Sequence, residues 1–219
     1  MINWHDIDTV LLDMDGTLLD LHFDNHFWLE YMPAKYAEKQ GISLDAAKQH
    51  LEPIFMQTSG QLQWYCLDYW RQTLDLDMVA IKQEIAHLIS LRPSAEVFLT
   101  ALHQSKKQVV LITNAHQDSL SLKLERIALS HYFDHMITSH QYGYPKEQPP
   151  FWEHLAKEIH FDPSRALFID DSLPILRSAR DYGIKHLLAI SRPDSKQPPK
   201  ATEEFLGVDS YLSLLPIND

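Results

Sequence analysis

The chain has a single cysteine among its 219 residues, Cys66, which excludes a disulfide framework within it. Flanked by Trp64-Tyr65 and Leu67, with no basic residue beside it, Cys66 reads as a buried structural thiol. No apolar stretch approaches the roughly 20 residues that a membrane span requires. The opening Met1-Ile2-Asn3-Trp4-His5-Asp6 lacks the basic-then-apolar order of a signal peptide. With one cysteine and no membrane segment, a reducing cytoplasm is the expected location. Positive charge is also scarce. The formal net charge is −11, and Lys106-Lys107 is the one pair of adjacent basic residues, so polymeric nucleic acid is not an expected partner. The 13 histidines are scattered, with no pair at metal-ligand spacing beside a cysteine or acid, which argues against zinc.

What the chain does have is a core's worth of apolar residues, 45% hydrophobic and 11% aromatic, and an acidic pair in an unusual place. Ile7-Asp8-Thr9-Val10-Leu11-Leu12 is short and rich in β-branched residues, and reads as a buried strand. It runs straight into Asp13-Met14-Asp15-Gly16-Thr17. In an open parallel sheet, ligands bind beyond this end of the strands. Two carboxylates so close repel, and either a cation or a raised pKa on one acid would relieve them. An ordinary Asp-Gly turn is the plainer alternative.

Three later segments share the pattern. Val109-Val110-Leu111-Ile112-Thr113-Asn114 is an apolar run ending in a hydroxyl and an amide. Gly143-Tyr144-Pro145-Lys146 places a lysine in a turn-rich stretch ahead of a helix. Ala166-Leu167-Phe168-Ile169-Asp170-Asp171-Ser172 is another apolar strand closing on two acids. Taken singly, Thr113-Asn114 and Asp171-Ser172 could be helix caps and Lys146 a solvated charge. In this order, the four together resemble the motifs of the haloacid dehalogenase-like superfamily of phosphohydrolases. Asp24-Asn25-His26-Phe27-Trp28, Trp64-Tyr65-Cys66-Leu67-Asp68-Tyr69-Trp70, Gly143-Tyr144-Pro145-Lys146-Glu147 and Pro193-Asp194-Ser195 narrow the resemblance. They are similar to the purine 5′-nucleotidases (GMP/IMP nucleotidases) of that superfamily.

Periodicity divides the chain. From about residue 25 to 90 there is no convincing strand, and apolar residues recur at helical spacing: Phe27, Trp28, Tyr31 and Met32; Leu51, Ile54 and Phe55; Trp64, Leu67, Tyr69 and Trp70; Ile81, Ile85, Leu88 and Ile89. Gly41 before Ser43, and Ser59-Gly60, are breaks, so four helices are expected. From Pro93 onward helices and strands alternate: helix Pro93 to Gln104, strand Gln108 to Thr113, helix Asp118 to Ala128, strand His135 to Thr138, helix Pro150 to His160, strand Ala166 to Asp170 and helix Pro174 to Tyr182. Lys185 to Ile190 is the expected last core strand, and Arg192 to Lys200 a surface loop. This predicts a doubly wound, Rossmann-like α/β core with a parallel sheet, residues 1–19 and 91–219, and an inserted helical cap, residues 20–90. The resemblance implies the same arrangement, with the cap closing over the site and selecting substrate.

The resemblance also implies roles. Asp13 is the nucleophile that attacks phosphorus, and Asp15 the acid that protonates the leaving alkoxide and later takes a proton from water. Asp15 must then have a raised pKa and point away from any metal. Mg²⁺ is the implied cofactor, held by Asp13, the main-chain carbonyl of Asp15 and Asp170. Asp171 is an anchor for Asp170 and Lys146 or a weaker direct participant. Thr113 and Asn114 donate to the phosphoryl oxygens, Lys146 supplies compensating charge, Gly16 lets backbone amides approach the phosphate, and Thr17 braces the loop. Glu147, which departs from the superfamily's common Lys-Pro, could reorient Lys146 or pair with it. In the cap, Phe27, Trp28, Trp64 and Tyr65 are candidates to stack a purine, and His22, Asp24 and Asn25 to contact its sugar or base edge. The expected partner is a small phosphomonoester, a purine nucleotide such as GMP or IMP, acted on by a monomer. A sugar-phosphate phosphatase or phosphomutase is the alternative.

Overall fold

A computed structural model describes residues 2–218. Six parallel strands form one sheet: β1 Thr9–Leu12, β2 Gln108–Thr113, β3 His135–Thr138, β4 Ala166–Asp170, β5 His186–Ile190 and β6 Leu206–Val208, in the order β3-β2-β1-β4-β5-β6. β1 is hydrogen-bonded to β2 on one side and to β4 on the other, so the strand order reverses at β1. That reversal opens a crevice beyond the carboxyl ends of β1 and β4.

The inner strands are apolar on both faces because both faces are covered. Val10, Leu12, Leu167 and Ile169 pack on one side with Phe98, and Leu11 and Phe168 on the other with Phe151 and Trp152. Phe98 belongs to α7 (Ala95–His103), and Phe151 and Trp152 to α10 (Pro149–Ile159). α8 (Gln117–Arg126) follows β2 and α11 (Leu173–Tyr182) follows β4, the latter stopped by Gly183 in the left-handed conformation. The short α9 (Ser139–Tyr142) follows β3.

Two expectations about the α/β core need correction. β5 is not the last strand, since β6 adds to its edge. Pro93 lies in a turn before α7 rather than within it, and Ser94 reaches the helix through a left-handed φ of 66°.

Between β1 and β2 the chain is helical. α1 (His22–His26) runs through a π-helical turn, Phe27–Tyr31, into α2 (Met32–Gln40). α3 (Leu44–Thr58) starts from Ser43, whose hydroxyl accepts from the Ala46 N–H. α4 (Leu62–Tyr65) and α5 (Leu67–Leu74) are separated by Cys66, and α6 (Met78–Glu84) completes the block, which thus holds six α-helices among the described residues rather than the four expected. Cys66 is half-buried rather than buried, and its Sγ caps α5 by accepting from the Tyr69 N–H. The block enters and leaves through one narrow antiparallel crossing. Asp20 N–H donates to Ser90 O, and Arg92 N–H to Leu18 O, both at 2.9 Å. The buried Arg92 guanidinium ties this crossing to the core by donating to the Thr17 and Arg192 carbonyls. No helix among the described residues is long and apolar enough to cross a membrane.

Candidate active site

The strand ends deliver their polar residues to one cavity of about 350 Å³, with Asp13, Asp15, Thr113, Asn114, Lys146, Asp170 and Asp171 on its core wall. Lys146 is at the centre. Its Nζ donates to Asp13 Oδ1 at 2.6 Å and to Asp170 Oδ2 at 2.8 Å. The lysine is fully buried, and its backbone is fixed as well: its carbonyl accepts from Trp152 Nε1 on α10. Burial opposes its charge, but the two carboxylates outweigh that and hold its pKa above the usual lysine value.

Asp13, Asp170 and Asp171 each present an oxygen within 4.8 Å of the others. Burial raises Asp13 to about 6 despite Lys146, and Asp170 likewise to about 6. Asp13 Oδ2 is buried with no hydrogen-bond partner. Asp171 is not bonded to Lys146. It pairs with Lys200 at 3.1 Å and faces Gly16 across the loop. Gly16 has φ +84°, and a Cβ there would lie 2.7 Å from the Asp171 carboxyl carbon. Its role is therefore to admit that carboxylate as well as to turn the chain. Thr17 is wholly buried, and its carbonyl accepts from Arg92 and from the Tyr211 hydroxyl.

Asp15 points the other way. Its Oδ1 accepts from Lys123 Nζ of α8 at 2.6 Å. Lys123 also donates to Asp24 Oδ2 at 2.7 Å, and Lys82 of α6 donates to Asp24 Oδ1 at 3.0 Å. The result is a row of alternating charge, Asp15–Lys123–Asp24–Lys82, with both lysines buried and both acids half-buried, that leads from the β1 loop into the helical block. Burial raises Asp15 to about 6 against the pull of Lys123. Burial acts on Asp24 too, but two lysines overcome it and bring the group to about 2. Lys82 rests over the rings of Phe27 and Phe23, 4.2 and 4.8 Å from their centroids.

Neither lysine was singled out from the sequence. The signal was present in the helical spacing. Lys82 falls in the stripe of Met78, Ile81 and Ile85, and Lys123 in that of Ser119 and Leu120, where an apolar side chain is expected. A lysine in such a stripe needs a buried acid.

Asn114 is oriented by its neighbours. Its Oδ1 accepts the Lys146 N–H at 2.9 Å, and its Nδ2 donates to Glu147 Oε2 at 2.9 Å. Glu147 does not pair with Lys146. Its other oxygen accepts from the Tyr65 hydroxyl of α4 at 2.6 Å. Burial and that carboxylate raise the Tyr65 pKa, keeping it a donor. Thr113 Oγ1 accepts from the Ala115 N–H, which leaves its own hydrogen free to donate.

Of the candidate cap residues, Trp28, Trp64, Tyr65, Asp24 and Asn25 line the cavity. Trp28 and Trp64 stack with centroids 5.5 Å apart. Phe27 is fully buried under Lys82 and is not on the cavity wall, so it is core and does not stack a ligand. His22 is also off the wall and lies 3.7 Å from Asp194.

The arrangement offers a buried carboxylate with a free oxygen, a second acid directed away from it, a lysine and amide for anionic oxygens, and an acid cluster suited to a hard cation. Known proteins resemble this chain over most of its length. The chain is 40% identical over 215 residues to the GMP/IMP nucleotidase YrfG of Escherichia coli, covering 98% of this chain and 97% of that protein. The HAD phosphatase from Thermococcus onnurineus superposes with a TM-score of 0.79 at 20% identity, covering 95% and 96% of the two chains. The L-2-haloacid dehalogenase from Xanthobacter autotrophicus superposes at 0.60 and 17% identity, covering 87% and 80%. The fold alone thus serves more than one chemistry. Residues 7–209 match the haloacid dehalogenase-like hydrolase family, a span that takes in every strand-end residue described above, and the chain belongs to that family.

Proposed function

We propose that this protein is a Mg²⁺-dependent phosphomonoesterase acting on purine nucleoside 5′-monophosphates, GMP and IMP, through an aspartyl-phosphate on Asp13. The observation that carries the reading is one cavity with Asp13, Asp15, Lys146 and Asp170 on its core wall and the Trp28–Trp64 stack on its helical wall. The nucleotidase of E. coli, 40% identical over nearly the whole chain, is named for GMP and IMP.

The residues fit the ion. Three carboxylates converge, and Asp13 Oδ2 is buried and unpartnered. Asp13, Asp170 and the Asp15 carbonyl would hold Mg²⁺, with Asp171 beside them. When bound, the ion supplies charge neutralisation for the phosphoryl oxygens.

In the reaction, Asp13 forms an oxygen–phosphorus bond as the bond from phosphorus to the ribose O5′ breaks. Asp15 gives its proton to O5′. Water then attacks phosphorus, Asp15 takes its proton, phosphate leaves and the Asp13 carboxylate is restored. Lys146 and Asn114 hold the anionic oxygens, with Thr113 as a further donor. Lys123 keeps the Asp15 carboxyl turned from the acid cluster towards the helical block. Residues 20–90 act as a cap hinged at the 18–20 and 90–92 crossing, and closure excludes water. The lone cysteine accords with a reducing cytoplasm. A phosphate-release assay with Mg²⁺ over GMP, IMP, AMP and sugar phosphates tests the reading. GMP and IMP should give the highest kcat/KM, and a sugar phosphate in that place would refute it.

A further inference from the structure

Asn25 lies on α1, just past the hinge, and faces the cavity. Its Nδ2 donates to Asp194 Oδ2 at 2.8 Å. Asp194 belongs to the Pro193-Asp194-Ser195 stretch, which is pinned to the hinge from several directions. Its Oδ1 accepts the Lys196 N–H at 2.8 Å. Asp20 Oδ1 accepts the N–H groups of Ser195 and His22, and Leu21 N–H donates to the Pro193 carbonyl. Asp194 is 3% exposed, so this residue of the expected surface loop is buried where the loop meets the cap.

A carboxylate only accepts, so the Asn25 amide has one orientation: NH₂ towards Asp194, carbonyl Oδ1 away from it. No donor among the described residues bonds that oxygen. The neighbouring Asp24 has both oxygens committed to lysines, so Asn25 is the acceptor this part of the wall has to offer. The tryptophan stack presents apolar surface that takes any purine alike. Discrimination must come from an edge contact.

We infer that Asn25 is a specificity-determining residue whose Oδ1 accepts the N1–H of a 6-oxopurine, and that Asp194 is the positioning residue that keeps it an acceptor. Hypoxanthine and guanine both carry hydrogen on N1. Adenine has a bare N1 there, so two acceptors would meet and neither would be satisfied. The inference rests on the nucleotidase reading and names the contact by which that site selects its base.

The test compares kcat/KM for IMP, AMP and 1-methyl-IMP. With the wild-type protein, IMP should exceed the other two by at least about tenfold, the effect of one unpaired buried acceptor. Asp194→Asn frees the Asn25 amide to turn over, and the IMP-to-AMP ratio should fall by about tenfold. The double variant Asn25→Asp with Asp194→Asn restores a donor beside an acceptor and should restore the ratio. A folded Asp194→Asn protein with the wild-type ratio overturns the inference. So does an equal loss on IMP and AMP, which would assign Oδ1 to the ribose. If Asp194→Asn does not fold, 1-methyl-IMP decides with the wild-type protein: hydrolysis equal to that of IMP overturns the inference. Wild-type protein that hydrolyses other phosphomonoesters but neither IMP nor GMP would instead remove the nucleotidase reading, and the inference with it.

Discussion

The Tyr65 hydroxyl donates to Glu147 at 2.6 Å, and through Glu147 a helix of the inserted block is joined to Asn114 and the Lys146 backbone. The position of the block is thereby coupled to two residues on the core wall of the cavity. Tyr65→Phe removes one hydrogen bond to a charged group, worth about 1.5–3 kcal/mol. The expected result is a roughly tenfold to hundredfold fall in kcat/KM for IMP, with weaker inhibition by inorganic phosphate. A lowered melting temperature with unchanged kinetics would show that the contact only braces the fold.

The two buried lysines should differ in weight. Lys123 serves both Asp15 and Asp24, whereas Lys82 serves Asp24 alone. Lys123→Met strips a buried cation from two half-buried carboxylates and should cost about 3 kcal/mol of stability, the lower end of the range for a broken buried pair. Lys82→Met leaves Asp24 with Lys123 and should cost less. Urea unfolding of both variants measures the order. Equal losses, or a larger one for Lys82→Met, would contradict the charge-row account.

Gly16→Ala tests the close approach of loop and acid. An alanine must hold φ near +84° and place its Cβ 2.7 Å from the Asp171 carboxyl carbon. Asp171 must shift, so Mg²⁺ affinity, followed by calorimetry, should drop sharply along with activity. Wild-type affinity in this variant would show that Asp171 has no part in the acid cluster.

The acid cluster also sets a pH dependence. Burial raises Asp13 and Asp170 from the usual 3.8 to about 6 in the metal-free protein. Their folded-state pKa values lie above the unfolded ones, so the stability they contribute is present at low pH and lost as pH rises through about 6. A cation needs the deprotonated forms, so its binding should strengthen over the same interval. Melting curves should therefore show stabilisation by Mg²⁺ at about pH 8 and little at about pH 5. Equal stabilisation at both would exclude these carboxylates as ligands.

The legible parts of the chain were those where local pattern and burial agree. β2, β3 and β4 begin and end at the expected residues, because their inner apolar residues are covered on both faces and polar residues mark the strand ends. β6 was not legible: Leu206-Gly207-Val208 is three residues long, lies on an edge and contains a glycine. Among the site residues, Asp13, Asp15, Asp170 and Lys146 were read from their places at strand ends and before a helix. Lys82 and Lys123 were missed because a helical lysine usually faces solvent, and the acid that holds each in the interior is far away in sequence. Glu147 was expected to reorient the adjacent Lys146 or pair with it, whereas it accepts from Tyr65, 82 positions away. Long-range pairings of this kind leave no local periodicity.

The central claim is a covalent bond between Asp13 and phosphorus, and the most direct measurement is chemical trapping. Enzyme turning over IMP with Mg²⁺ is quenched in acid, reduced with borohydride, digested and mapped by mass spectrometry. An acyl phosphate is reduced to the alcohol, so the account predicts homoserine at position 13 and at no other aspartate, dependent on both IMP and Mg²⁺. Phosphate release with position 13 unmodified, or with the mark on another residue, would contradict it.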